Sequence, residues 1–181
     1  NFRAGSLSAM DVPAAVLSAI KYVEETKKPD IIFIEGQSSL TEKGNPHPRG
    51  LSAAILIGAA PDAVIIGPSN PITSISPILS LDGVKEALEN THVIAVSPII
   101  GTDSVSGPAS KFMDALGIEV SSLGVASLYE SFLDTIVIDK KDNNLKDDLE
   151  KIVSEVIVTN TIMKDLDDKK KLAKIILNDI S

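Results

Sequence analysis

The chain has 181 residues, 44% of them apolar and 23% charged, with 17 Lys and Arg against 25 Asp and Glu for a net charge of −8. This is length for one domain or one and a fraction, in a composition that excludes a disordered tail and a low-complexity polymer. The acidic balance lacks the attraction to phosphate backbones on which nucleic-acid binders depend, and zero cysteines exclude disulfides, thiolate metal sites and a Cys nucleophile, which suits the cytoplasm.

The chain starts at Asn1 with no basic-then-apolar leader, so it reads as a piece of something longer. The pattern predicts a helix over 12–27 and then a strand at Ile31-Ile32-Phe33-Ile34. A helix over 50–60 holds the longest apolar stretch, Leu51 to Ala60, which stops at Pro61-Asp62, far short of the roughly 18 residues a membrane span needs. A second strand follows at Val64-Ile65-Ile66, then helices over 73–80 and 83–90 and a third strand at Val93-Ile94-Ala95-Val96. Beyond a helix over 108–116 come a strand at Ile136-Val137-Ile138, a helix over 144–153, a strand at Val156-Ile157-Val158 and a helix over 166–179. That last helix carries a stripe of Leu166, Leu172, Ala173, Ile176 and Ile180, with its charge run on the solvated face.

The five strand runs are rich in β-branched residues and do not alternate with polar ones, the pattern of strands covered on both faces. Alternation with helices then predicts a three-layer, doubly wound α/β fold of Rossmann-like type, with a mostly parallel sheet in a single domain. No repeat and no linker interrupts it.

Ligands of open parallel sheets sit at the carboxyl ends of the strands, so the loops after each apolar run matter most. After Ile66 the chain reads Gly67-Pro68-Ser69-Asn70-Pro71-Ile72-Thr73-Ser74. Asn70 is typed for an N-cap and Pro71 for the first helical position. The N–H groups around Ile72 to Ser74, with the hydroxyls of Ser69, Thr73 and Ser74, offer a seat for a phosphate. Plain helix-start chemistry explains the same residues, and no G-K-[ST] marks a Walker loop. The next strand leads into Ser97-Pro98-Ile99-Ile100-Gly101 and then Ser106-Gly107-Pro108-Ala109-Ser110-Lys111. Gly107 permits close backbone approach and Lys111 brings one positive charge near a bound anion, or is an exposed surface lysine. Glu35, at the end of the first strand run, is either a metal or base carboxylate or a loop cap. His47 lies between two prolines and His92 opens a strand. Two separated histidines without an acidic partner make no metal site, and no Ser-His-Asp arrangement stands out, so no catalytic residue is assigned.

The runs GPSNPITSISPILSLDGVKEAL, VIAVSPIIG, SGPASKFMDALGIEVSSLGVASLYESFLDTIVID and VTNTIMKDLDDKKKLA together resemble the C-terminal half of the 2-phospho-L-lactate transferases of coenzyme F-420 biosynthesis, over about 64–181. The resemblance implies an enzyme that moves a phospholactyl-type group from a guanosine diphosphate-activated donor to the terminal hydroxyl of the deazaflavin Fo, releasing GMP, with Mg²⁺. It implies that Gly67, Pro68, Ser69, Asn70, Thr73 and Ser74 lie near the nucleotide and its diphosphate, and that Ser97, Gly101, Gly107 and Lys111 form the second loop. The Gly-rich GGTG turn and following acids with which that family begins do not occur before Gly67.

Residues 1–65, through DIIFIEGQSSL and PRGLSAAILIGAAPDAVI, instead resemble the end of a P-loop family that includes proposed D-amino-acid N-acetyltransferases. The expectation is thus two α/β segments, 1–65 and 66–181, joined near Val64–Gly67 by recombination or design, with one sheet running across the join. Three functions follow: a phospholactate-transferase-like nucleotide-binding chain, a non-enzymatic α/β scaffold with at most weak phosphate binding, or a P-loop remnant acting in acyl transfer through Glu35. Guanine nucleotide and deazaflavin are the partners of the first. Homodimer formation and metal ligands stay open.

Overall fold

The β-branched runs of the middle and later chain pair side by side. In the computed structural model, which describes residues 11–29, 32, 61–105 and 107–180, β1 (Ala63–Ile66), β2 (His92–Val96), β5 (Thr135–Asp139) and β6 (Glu155–Thr159) form one sheet in the order β1-β2-β5-β6. Every pairing is parallel, with Ala63 beside His92, Ile94 beside Thr135, and Thr135 beside Glu155. The expected parallel α/β fold of Rossmann type is therefore present. The first expected strand, at Ile31–Ile34, and the helix over 50–60 lie outside the described residues, apart from Ile32.

The chain divides into two compact units, Asn1–Pro61 with Pro77–Ala87 and Asp62–Ser76 with Leu88–Ser181. In the first, α1 (Asp11–Lys27) matches the helix predicted over 12–27. It ends where Lys28 takes a positive φ of 47° and returns its N–H to the Glu24 carbonyl at 3.1 Å, and Pro29 prevents continuation. The predicted helices over 73–80 and 83–90 shorten to α2 (Ser76–Leu79) and α3 (Val84–Leu88).

The second unit holds the sheet and its core. β2 and β5 are buried on both faces apart from the half-exposed His92, as their unbroken apolar runs predict. The outer strands differ: β1 and β6 are only partly covered, and Ile65 is 43% exposed. One sheet face, through Ile94, Val96 and Val137, packs against Leu172 and Ile176 of α7 (Leu166–Ile180), joined by Ile157 and Met163. The apolar stripe of α7 is narrower than expected, because Leu166, Ala173 and Ile180 are exposed. Leu172 and Ile176 are the α7 side chains buried in this core.

Three elements were not anticipated. A short antiparallel hairpin, β3 (Ile99–Ile100) with β4 (Asp103–Ser104), grows from the loop after β2. It leads to α4 (Ala109–Ala115), the helix expected over 108–116. Next comes α5 (Ser122–Tyr129), apolar almost all round and capped by Ser121, whose Oγ accepts the Gly124 N–H at 3.1 Å. Gly124 is required there, since a Cβ would overlap the Glu119 carbonyl. The helix predicted over 144–153 is a 3-10 turn, Lys140–Leu145, running into the single turn of α6 (Lys146–Leu149).

Candidate functional site

The loops at the carboxyl ends of β1, β2, β5 and β6 all belong to the second unit and are built from local polar bonds. After β1, Ser69 donates its N–H to the Gly67 carbonyl at 2.7 Å. Asn70 then organises the whole turn. Its Oδ1 accepts the N–H groups of Ile72 and Thr73 at 2.9 and 3.2 Å, and its backbone carbonyl accepts those of Ser74 and Ile75 at 3.0 and 3.2 Å. Pro71 stands at the first helical position as expected, and the segment Pro71–Ile75 winds as a π-turn before α2 begins. The N–H groups of Ile72, Thr73 and Ser74, which the sequence leaves for a phosphate, are thus already bonded to Asn70. Gly67, Ser69, Thr73 and Ser74 are exposed, and Pro68 is half-buried.

The other end of the Asn70 amide is in a different state. Its Nδ2 is buried and has no hydrogen-bond partner among the described residues. Turning the amide over would break two good bonds from Ile72 and Thr73, so the unpaired atom is the donor. Buried donors without partners are rare, and each calls for an explanation.

After β2, Ser97 is 1% exposed and fully engaged. Its N–H reaches the Val137 carbonyl at 2.9 Å, and its hydroxyl donates to the Ile99 carbonyl at 2.9 Å while accepting the Ile99 N–H at 3.1 Å. The buried Ser122 hydroxyl lies 2.9 Å from Ser97 Oγ. Ser97 therefore shapes the loop and has no hydroxyl proton left for a ligand. Gly101, at φ 62°, turns the β3–β4 hairpin and donates its N–H to Asp142 Oδ1 at 2.7 Å. Gly107, at φ 67°, accepts the Ser104 hydroxyl at 2.6 Å and leads into α4, where Lys111 is exposed. Because α4 packs against the Pro71–Ile75 turn, the two expected loops are brought together: the Asn70 segment lies beside the helix that carries Lys111.

Two carboxylates that the sequence reading passed over complete this edge. Asp139, 4% exposed, accepts the Lys141 N–H at 3.1 Å through Oδ1 and the Thr161 N–H at 3.1 Å through Oδ2. Asp142, 3% exposed, takes Gly101 as described, and its Oδ2 is 3.4 Å from Ser122 Oγ. Both are committed to N–H and O–H donors. Among the described residues no group of three or more His, Asp or Glu side chains comes together to hold a metal ion. Glu35 and His47 lie outside the described residues.

His92 has acidic partners far away in the chain, which sequence spacing does not show. Its Nε2 is 3.0 Å from Asp179 Oδ2 and its Nδ1 is 3.8 Å from Asp134 Oδ2. This cluster occupies the opposite, amino-terminal end of the strands. There the Glu155 carboxyl is held above the usual carboxylate range, chiefly by a hydrogen bond to Asp179 and by that residue's charge. Burial also pushes the Tyr129 phenol up, beside Phe132 at a ring separation of 5.7 Å.

Comparison with known proteins gives matches of two kinds. The model of a family described as a domain of unknown function, the C-terminal P-loop domain of DUF1611, covers residues 1–107. Proteins named 2-phospho-L-lactate transferase match over a different share. The one from Methanothermobacter thermautotrophicus is 51% identical over 119 residues, 66% of this chain and 39% of the relative. The one from Methanocaldococcus jannaschii is 55% identical over 116 residues, 64% and 36% respectively, and the one from Methanococcoides burtonii 51% over 117 residues, 65% and 38%. The chain thus spans less than two fifths of the length of these relatives. No helix among the described residues is long and apolar enough to cross a membrane.

Proposed function

We propose, for a chain that belongs to the C-terminal P-loop domain family of DUF1611 over residues 1–107, that the loops after β1 and β2 hold the diphosphate of a guanine nucleotide in the service of phospholactyl transfer in the cytoplasm. The likeness to 2-phospho-L-lactate transferases supports this reading. The observation that carries it is Asn70 Nδ2, a buried, unpaired donor in a turn packed beside the helix of Lys111. A diphosphate oxygen would complete it, with the Lys111 ammonium and the backbone at Gly107 adding charge and close approach.

In the full reaction the terminal hydroxyl oxygen of the deazaflavin Fo bonds to the phosphorus that bears the lactyl group. The bond from that phosphorus to the GMP oxygen breaks, GMP leaves, and the hydroxyl proton is released. Catalysis of such a step is mostly positioning and charge stabilisation. Mg²⁺ belongs to this proposal through the family resemblance, but the donor set of the described residues does not fit it, because Asp139 and Asp142 are occupied by N–H groups. No step is routed through the metal.

The test is calorimetry with GDP, with and without Mg²⁺, on the parent and on Asn70→Ser. Serine retains the N-cap function and deletes Nδ2. A hydrogen bond to a charged group contributes about 1.5–3 kcal/mol, so affinity should fall about 10- to 150-fold while the melting temperature changes little. Equal affinity of the two proteins would refute the assignment of Asn70. A second reading, the non-enzymatic scaffold, is favoured by the prior engagement of the Ile72, Thr73 and Ser74 N–H groups and of the Ser97 hydroxyl. It expects no heat at all from folded parent protein.

A further inference from the structure

We infer that Asp142 is the positioning residue of this edge, setting where the Gly107–Lys111 segment stands against the Asn70 turn without touching the ligand. As a statement about ligand binding, this rests on the function proposed above.

A carboxylate that is 3% exposed needs strong partners, because an unpaired buried charge is costly. Asp142 finds its firm partner 41 residues away in the chain. Its Oδ1 accepts the N–H of Gly101 at 2.7 Å, the short distance of a charge-assisted bond, at the tip of the β3–β4 hairpin. Its Oδ2 lies 3.4 Å from Ser122 Oγ, whose single proton goes to Ser97 Oγ at 2.9 Å, so the Gly101 bond is the firm one. The hairpin tip is therefore referred to one side chain, carried by the 3-10 turn that follows the buried strand β5.

The hairpin is held otherwise by the fully buried Ile99, with β3 lying against α5, and by the Ser97 bonds at its base. Each of its strands is two residues long, too short for independent stability. Beyond it, Val105 N–H bonds to the Pro98 carbonyl at 2.8 Å and Ser104 Oγ to the Gly107 carbonyl at 2.6 Å, so the hairpin's position is handed on to Gly107 and the start of α4. α4 lies against the turn that presents Asn70. Asp142 thus fixes the hairpin that leads into α4, while Asn70 and Lys111 would meet the nucleotide.

The experiment compares the parent with Asp142→Asn and Asp142→Ala by amide hydrogen exchange and GDP calorimetry. Asparagine keeps an Oδ1 for the Gly101 N–H but loses the charge; alanine loses both. Exchange at Val105 and Phe112, whose N–H groups bond to the Pro98 and Pro108 carbonyls at 2.8 and 3.2 Å, should rise in the order parent, Asn, Ala, by tenfold or more in the last, and GDP affinity should weaken about tenfold in the alanine variant with most of it restored in the asparagine variant. A buried residue that only stabilises the fold would lower the melting temperature and leave both readouts unchanged in the folded protein, and that result would overturn the inference. If the alanine variant does not fold, the asparagine variant decides alone: a shifted Gly101 amide resonance with unchanged exchange at Val105 and Phe112 overturns it, and faster exchange there supports it. A parent that binds no GDP defeats the nucleotide reading, whereas the order of exchange rates still decides whether Asp142 positions the segment.

Discussion

Gly124→Ala should destabilise the sheet-bearing unit, against the usual direction of such a change. In an ordinary helix interior, alanine in place of glycine gains about 1 kcal/mol. Here the added Cβ overlaps the Glu119 carbonyl and also comes within 3.3 Å of Met113 Cε. The methionine can move aside, because its thioether is flexible. The carbonyl cannot, since it belongs to the backbone entering α5. Overpacking of this kind costs about 1–3 kcal/mol. Displacing the helix start also stretches the 3.1 Å cap from Gly124 N–H to Ser121 Oγ, a loss of about 0.5–2 kcal/mol. After subtracting the propensity gain, the net destabilisation is about 0.5–4 kcal/mol. For a chain of this size each kcal/mol lowers the melting temperature by about 2–4 °C. Thermal unfolding followed by circular dichroism should show a fall of about 1–16 °C. A melting temperature equal to or above that of the parent would refute the close approach of α5 to Glu119.

Two further changes probe the core and the opposite edge. Ile176→Ala removes a side chain that is 5% exposed and packed with Leu172 against Ile94, Val96 and Val137, and should cost about 2–5 kcal/mol in urea unfolding; a loss below 1 kcal/mol would mean that α7 is not seated there. Glu155 titrates above the ordinary carboxylate range because of Asp179, with desolvation adding to the rise and His92 and Lys146 opposing it. A raised folded-state value gives stability that is complete below about pH 4 and is lost as pH rises through the folded value toward neutrality. Glu155→Gln should therefore flatten the dependence of the urea midpoint on pH above about 4, by a modest amount because the group is exposed and screened by salt; an unchanged slope would count against the Glu155–Asp179 pairing.

What the sequence made legible was local or strongly patterned. Val64–Ile66, Val93–Val96, Ile136–Val137–Ile138 and Val156–Ile157–Val158 were found because buried parallel strands need unbroken β-branched runs. Asn70 was identified as a cap because its bonds reach only two and three residues ahead. The π register of the same turn was not visible, since nothing in the residue types distinguishes a carbonyl bonded four residues on from one bonded five on. α5 escaped because Gly124 and the serines lower its helical preference and its apolar residues face all sides. Asp139 and Asp142 were invisible for a different reason: their partners lie 22 and 41 residues away, and only the parallel winding of β2, β5 and β6 brings those segments to one edge. The acidic partners of His92 were missed likewise, because Asp179 is 87 residues distant in sequence.

The seating of α7 on β2 and β5 also bears on how the protein is made. Ribosomes deliver Ile94 and Val96 long before Leu172 and Ile176, which cover them. During that interval the nascent chain carries two adjacent β-branched strands with one face bare, the surface most prone to misassociation. Translation pauses between β5 and α7 would lengthen this exposure, and faster completion of α7 would shorten it.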